Sequence, residues 1–397
     1  MSLSKPLTLF DQQPRTDPEP AGHSEPRYTF LNRVDTPYFD RVRQLLESWL
    51  RRYPAAHQSD LIARFRSSDD SQMMGAFWEL YLHEVGLRLG WRVEVHPDVP
   101  GTSNHPDFLA ADGGDLFYLE GVIAVPGTLA ERGAEHRVNQ VYDLIDRIDS
   151  PNFFLDVTVV EPGPSSPPVT GLRRDLSRWL AGLDPDEVTK VMVSGGGIYS
   201  WPSPFEWSES GWEVEFIPIP KAARARGRPG IRPIGVLAGL GPEVVDRYAP
   251  IRRVLDFKAK HYGELDRPLV VAVLVQEHFA SQGVLKQVLF GEPDSKVSQK
   301  ERAKFGLDGF FHTRRAARVS AVLAATELAP WTVARNAPVT WRNPYAKRPL
   351  VTKLPFRASL WDYDRSQMVE GSPGTPIHEL LGIAVNWPGP GKPFPHS

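Results

Sequence analysis

Apolar positions recur at helical spacing in two early stretches of the chain. Phe39, Val42, Leu45, Leu46, Trp49 and Leu50 follow Thr36-Pro37, a capping residue ahead of a proline suited to the first helical position, and Pro54 stops the run. The pattern predicts a helix there and a second over 71–89. The second is apolar on nearly every side (Met74, Phe77, Trp78, Tyr81, Leu82, Val85, Leu89), as a buried helix is. After Gly90 the period changes. Residues 91–95, 108–110, 116–125 and 153–160 read as strands separated by Pro, Gly, Asn and Asp turn signals, with a helix over 129–148 between the last two. A helix over 172–183 and strands over 189–193 and 212–219 follow. Beyond Pro250 a helix runs to His261, and 269–275 is short and continuously apolar, as strands buried on both faces are. Another helix and a strand over 318–324 come next, and Thr375-Pro376 starts a short terminal helix. This order predicts an α/β fold with a mixed central sheet flanked by helices.

Residues 1–30 open with a polar, proline-rich stretch (Asp17-Pro18-Glu19-Pro20) and read as a mobile tail. Residues 31–160 form the helices and α/β core, and 161–397 add further α/β elements packed on the same domain. A break within 162–168 is the alternative boundary. With 397 residues, 41% of them apolar, the chain can bury a substantial core. A formal net charge of −2 excludes a wholesale polyanion binder and leaves room only for a local cationic patch. Cysteine is absent, which excludes disulfides, thiolate nucleophiles and cysteine-ligated zinc, so a metal site would use carboxylates and histidine and favour magnesium or manganese. The longest apolar run, Leu269–Val275, falls far short of the ~20 residues a spanning helix needs. No cationic segment leads into an apolar core at the start of the chain. The expectation is a cytoplasmic protein with no membrane partner.

Three acidic positions stand out. Glu79 lies inside the apolar helix, Asp107 follows His105-Pro106, and Glu120 interrupts the apolar strand Phe117–Val125. A hairpin through Asp112-Gly113-Gly114-Asp115 brings Asp107 beside Glu120. Side chains alternate along a strand, so Glu120 and Val122 face one side while Gly121 and Ile123 face the other. Two carboxylates this close repel unless a cation or a proton intervenes, and buried carboxylates need partners. Gly75 and Gly86 let the helix carrying Glu79 approach the sheet.

The stretch from Glu79 to Val125 resembles the PD-(D/E)XK nuclease superfamily through the helix glutamate in Phe77-Trp78-Glu79-Leu80, the Pro106-Asp107 pair and the strand Glu120-Gly121-Val122. The resemblance implies a restriction-endonuclease-like core and divalent-metal-dependent hydrolysis of phosphodiester bonds, with DNA as the partner. It implies Asp107 and Glu120 as ligands of Mg2+ or Mn2+, with Glu79 completing the shell. It covers about an eighth of the chain. The motif's strand lysine is replaced by Val122, which can neither orient a water nor offset charge on a phosphate, and Gln140, in a row with His136 and Asp143 on the next helix, is the substitute the resemblance suggests. The alternative is a non-catalytic nucleic-acid or partner-binding module on the same fold, for which Val122 marks lost chemistry. A glycosidase acting through Asp107 and Glu120 is formally allowed but has no motif behind it.

Other features read as structural. His83 and His105 are expected to be hydrogen-bonded residues near the site. Gly195-Gly196-Gly197 and the glycines of 235–241 lack the phosphate-loop pattern. The basic segment from Lys221 to Arg232 can track a phosphate backbone or simply be solvated, and Trp201, Trp207 and Trp212 can stack on bases or fill a core.

Overall fold

A computed structural model describes residues 6–193, 202–228, 232–237, 248–276, 281–291, 309–362, 367–371 and 373–389. The chain divides into two compact units. The first comprises Met1–Pro20, Pro26–Pro126 and Asp246–Ser397, and the second Ala21–Glu25 and Gly127–Val245. The chain is mixed α/β, as its element order predicts.

The first unit begins with four helices, α1 (Arg27–Arg33), α2 (Pro37–Leu50), α3 (Ala55–Phe65) and α4 (Asp70–Arg88). Thr36 caps α2 by accepting from the Phe39 amide at 3.4 Å, with Pro37 in the first turn, as the sequence signals. Asp69 caps α4 by accepting from the Ser71 amide at 2.8 Å, and the middle of α4 is buried all round. Three antiparallel strands follow, β1 (Arg92–Val95), β2 (Phe108–Asp112) and β3 (Asp115–Ala124). Gly86 lets α4 settle on β1, because a Cβ there would lie 2.8 Å from Val93 Cγ2. The Trp78 indole donates to the Ala272 carbonyl at 2.9 Å.

The reading of residues 1–30 as a mobile tail is corrected for residues 6–30. Leu9 and Phe10 are fully buried, the Phe10 ring meets Phe65 edge-on at 5.6 Å, and the Asp35 amide donates to the Asp17 carbonyl at 2.8 Å. The few apolar residues in this polar stretch show no period, yet Leu9 and Phe10 suffice to anchor it.

The chain then enters the second unit through α5 (Leu129–Ile145), β4 (Phe153–Glu161), α6 (Val169–Ala181), α7 (Pro185–Val193), β5 (Phe205–Glu209), β6 (Trp212–Pro220) and β7 (Ile234–Leu237). Its four strands form a sheet of order β5-β6-β4-β7, with a core that joins Val141 and Ile145 of α5, Leu172 and Leu176 of α6, and Trp212 and Phe216 of β6. Residues 189–193 are helical, not extended. Pro185 opens α7 and the Asp184 side chain accepts from the Asp186 amide at 2.8 Å, a helix start that outweighs the β-branched Val188, Thr189, Val191 and Val193.

The first unit resumes with α8 (Ala249–His261), β8 (Leu269–Val275), α9 (Gln282–Phe290), β9 (Ala321–Thr326), β10 (Val339–Arg342), β11 (Ala358–Asp362), β12 (Gln367–Glu370) and α10 (Ile377–Leu381). Its eight-stranded sheet has the order β1-β2-β3-β8-β9-β10-β11-β12, and β8 runs parallel to both β3 and β9. A parallel neighbour needs a long crossover, and here the second unit lies within it. The expected division at residue 160 is therefore corrected: β8 to β12 complete the sheet begun by β1 to β3, whereas α5 and β4 belong elsewhere. The sheet is covered on both faces. Trp78 and Leu82 of α4 lie over Gly121, while Ile251, Leu255, Ala259 and Tyr262 pack with Val271 and Val273 on the other side, where Val122 also packs. No helix among the described residues is long and apolar enough to cross a membrane.

Candidate functional site

Asp107 and Glu120 are brought together by the β2–β3 hairpin. Its turn passes through Gly113, whose φ of 59° is left-handed and suits glycine, and the register pairs Phe108 with Leu119. Asp107 and Glu120 are therefore the next pair along. The Asp107 amide donates to Glu120 Oε2 at 3.1 Å, and the Gly121 amide donates to Asp107 Oδ2 at 2.7 Å. Just past β1 the backbone of His96 turns into the left-handed region, with φ 48°, and its amide donates to the Asp107 carbonyl at 2.9 Å. Both the Asp107 backbone and its carboxylate are thus fixed by neighbours in the sheet.

Gly121 makes room for this arrangement. A Cβ on it would lie 3.2 Å from Asp107 Oδ2, 3.2 Å from Trp78 Cδ1 and 3.3 Å from Leu82 Cδ1. Alanine at 121 must push either the carboxylate or α4 away. Gly121→Ala is expected to lose activity roughly tenfold or more, since sub-ångström placement governs a preorganised site, while the protein still folds. Unchanged turnover in Gly121→Ala would show that the Asp107 position is not critical.

Glu79 meets the pair from α4. It is buried, accepts a hydrogen bond from the Tyr53 hydroxyl on Oε1 and forms an ion pair with Arg64 at 2.7 Å through Oε2. His96 Nε2 lies 3.9 Å from Glu79 Oε1. Ligand atoms of Glu79, His96 and Asp107 all lie within 4.8 Å of one another. Two carboxylates and an imidazole at that spacing are a donor set for a divalent cation, and the imidazole favours manganese over magnesium. Burial, and then the charges of Glu120 and Glu79, push the Asp107 carboxyl well above its ordinary range. A site that makes a carboxylate costly to ionise gives a cation reason to bind.

Glu120 has a different set of partners. It is buried on the α8 side, where Lys258 forms an ion pair with Oε1 and the Tyr262 hydroxyl donates to Oε2 at 2.5 Å. Tyr262, which caps the C-terminal end of α8, stands four residues after Lys258, one turn on, so both reach the same carboxylate. Val122, two residues along the same strand face, packs into the apolar core under α8. A lysine from another element thus stands beside the strand that lacks one.

Of the four predicted residues, Glu79, Asp107 and Glu120 lie in the first unit; Glu79 and Asp107 share the donor cluster with His96, whereas Glu120, expected as a metal ligand, is not among its members and accepts from the Asp107 amide instead. Gln140 belongs to the second unit, where its amide lies 3.4 Å from His136 Nε2. Asp143, in the same row, accepts from the amides of His23 and Ser24 at 2.5 and 2.9 Å. Sequence reasoning missed His96, Tyr53, Arg64, Lys258 and Tyr262. The spacing of Lys258 and Tyr262 was visible, but cations at the end of a helix have a sufficient explanation in its dipole. His96 carried no signal because its role depends on a turn.

Of the two histidines expected near the site, His105 Nδ1 lies 3.1 Å from the Pro97 carbonyl oxygen. His83 is buried, with its ring 4.8 Å edge-on from Tyr53. Burial, assisted by the charge of Arg52, pushes its pKa from 6.5 down to about 4. The unfolded chain then takes up a proton at His83 that the folded chain refuses, so stability falls as pH drops from 6.5 towards about 4. At about 1.4 kcal/mol per pKa unit the full loss is about 3 kcal/mol. In chemical denaturation, His83→Phe should lack that part of the acid destabilisation, and an identical acid profile would assign it to another group.

Several of the remaining candidates have structural roles. Trp207 and Trp212 are core residues, and Lys221 is buried with its amine donating to the Ser150 carbonyl at 2.7 Å. Arg226 pairs with Asp186 at 2.7 Å. Trp201, Gly195-Gly196-Gly197, residues 229–231 of the basic segment and 238–241 of the second glycine-rich stretch lie outside the described residues. Comparison of the chain with protein-family models, with curated proteins and with solved structures gives no match.

Proposed function

We propose that this protein is a divalent-metal-dependent nuclease that hydrolyses phosphodiester bonds of DNA on a restriction-endonuclease-like core. The observation that carries the reading is the convergence of Glu79, His96 and Asp107 donor atoms within 4.8 Å, with Glu120 bonded to the Asp107 amide beside them. A manganese or magnesium ion bound there supplies Lewis acidity toward the scissile phosphate and an acidified water. Tyr53 and Arg64 hold Glu79 in one orientation, and the Gly121 amide does the same for Asp107. Asp107 would have to be ionised to act as a ligand. Glu120 orients the Asp107 backbone, and Lys258 contributes the cation that Val122 cannot, where it offsets charge developing on a phosphate. The test is cleavage of labelled single- and double-stranded DNA with manganese and with EDTA. Cleavage that needs manganese and vanishes in Asp107→Ala supports the reading; metal-independent cleavage, or an unaffected variant, removes it.

One observation favours a second reading. Glu120 already has a full set of partners in Lys258, Tyr262 and the Asp107 amide, as a structural carboxylate would. A binding module on the same fold then predicts salt-sensitive DNA binding that is indifferent to EDTA, and no cleavage.

A further inference from the structure

The helix that holds Lys258 against Glu120 carries a second set of groups on its outer face. Phe257 is 56% exposed, unusual for phenylalanine on a helix whose inner face is fully packed. Its ring stacks on the His261 ring, with centroids 5.1 Å apart and planes inclined by 30°. The same ring lies 5.9 Å from Lys258 Nζ, the amine that grips Glu120. Arg253 and Lys260, exposed one turn to either side, have no acidic partner among the described residues, whereas the nearby Asp256 is paired with Arg252 at 3.0 Å. The outer face of α8 is thus an aromatic surface bracketed by cations, next to the lysine that pairs with Glu120.

An aromatic face flanked by unpaired cations is what binds a base and its neighbouring phosphates in single-stranded nucleic acid. In a duplex the bases already stack on one another and their faces are closed to a side chain. We infer that the Phe257–His261 pair is a stacking platform for an unpaired base next to the phosphate served by Lys258, so that the substrate is single-stranded or locally unpaired DNA. Arg253 and Lys260 hold the phosphates on either side. The inference rests on the nuclease reading for the identity of the ligand, but its test does not depend on cleavage.

The experiment is titration of the full-length protein, in EDTA, into a short single-stranded DNA containing 2-aminopurine, and into the same sequence annealed as a duplex. Stacking quenches 2-aminopurine, so the readout reports the contact itself. The wild type is expected to bind the single strand with quenching and about tenfold more tightly than the duplex. Phe257→Ala should weaken single-strand binding by about tenfold or more and abolish the quenching, while Phe257→Tyr retains both. The exposed position makes unfolding of these variants an unexpected outcome, and their thermal melts verify it. Equal affinity of Phe257→Ala and wild type, equal affinity for duplex and single strand, or no binding by the wild type overturns the inference. Stacking without manganese-dependent cleavage by the wild type removes the nuclease reading and leaves the platform. Cleavage with unaltered binding by Phe257→Ala does the reverse.

Discussion

Replacing Asp107 with asparagine is expected to reduce manganese-dependent DNA cleavage by roughly a thousandfold, because a neutral amide oxygen holds the ion far more weakly than a carboxylate and adds no negative charge to the site. The same substitution should make the protein more stable at neutral pH. Burial, Glu120 and Glu79 raise the Asp107 pKa above its ordinary 3.8. The folded chain therefore keeps a proton that the unfolded chain releases. Its contribution to stability is fully present below about pH 3.8 and is lost as pH rises through the folded-state value. An amide cannot ionise, and its oxygen can still accept from the Gly121 amide. Thermal melts in EDTA from about pH 4 upward should thus show the wild type losing stability with rising pH and Asp107→Asn losing less. A manganese ion would need the ionised Asp107 carboxylate, so its affinity should rise with pH through the range where Asp107 titrates. An Asp107→Asn protein that cleaves normally takes Asp107 out of the chemistry. Parallel pH profiles for the two proteins assign the titration elsewhere.

Lys258→Met should cost both stability and activity. Glu120 is 2% exposed, and the Lys258 side chain is only 17% exposed, so removing the amine leaves a buried carboxylate with a hydroxyl and an amide as partners. Breaking a buried ion pair on one side costs about 3–5 kcal/mol, and Tyr262 places the expectation at the lower end. If Lys258 also offsets charge on the phosphate, cleavage should fall roughly a hundredfold. The double variant Lys258→Met with Glu120→Met separates the two effects, because replacing a whole buried pair by apolar groups is close to neutral for stability. Recovered stability with absent cleavage places both groups in the site. Recovered stability with recovered cleavage makes the pair purely structural and sinks the substitution of Lys258 for the missing strand lysine.

Much of the local architecture was legible in the residues. Thr36-Pro37 announces α2, the all-round apolar pattern announces α4, and Leu269–Val275 reads as a buried strand with the bounds it has. Glu79, Asp107 and Glu120 were legible for the same reason: a hairpin pairs residues that are neighbours in sequence, and an acid within an apolar run stands out against the pattern. Period and turn chemistry act over a few residues, and the sequence determines what they determine. The sheet did not follow from them. β3 pairs Tyr118 with Leu269 across an inserted unit, and no local pattern says which distant strand becomes the parallel neighbour. That pairing decides what lies over the site. It brings α8 beside β3 and so sets Lys258 and Tyr262 on Glu120, while the left-handed turn after β1 turns His96 towards Asp107. The acids of this site are a property of the sequence, and their cationic, phenolic and imidazole partners are a property of the fold, because the first depend on adjacent backbone and the second on long-range packing.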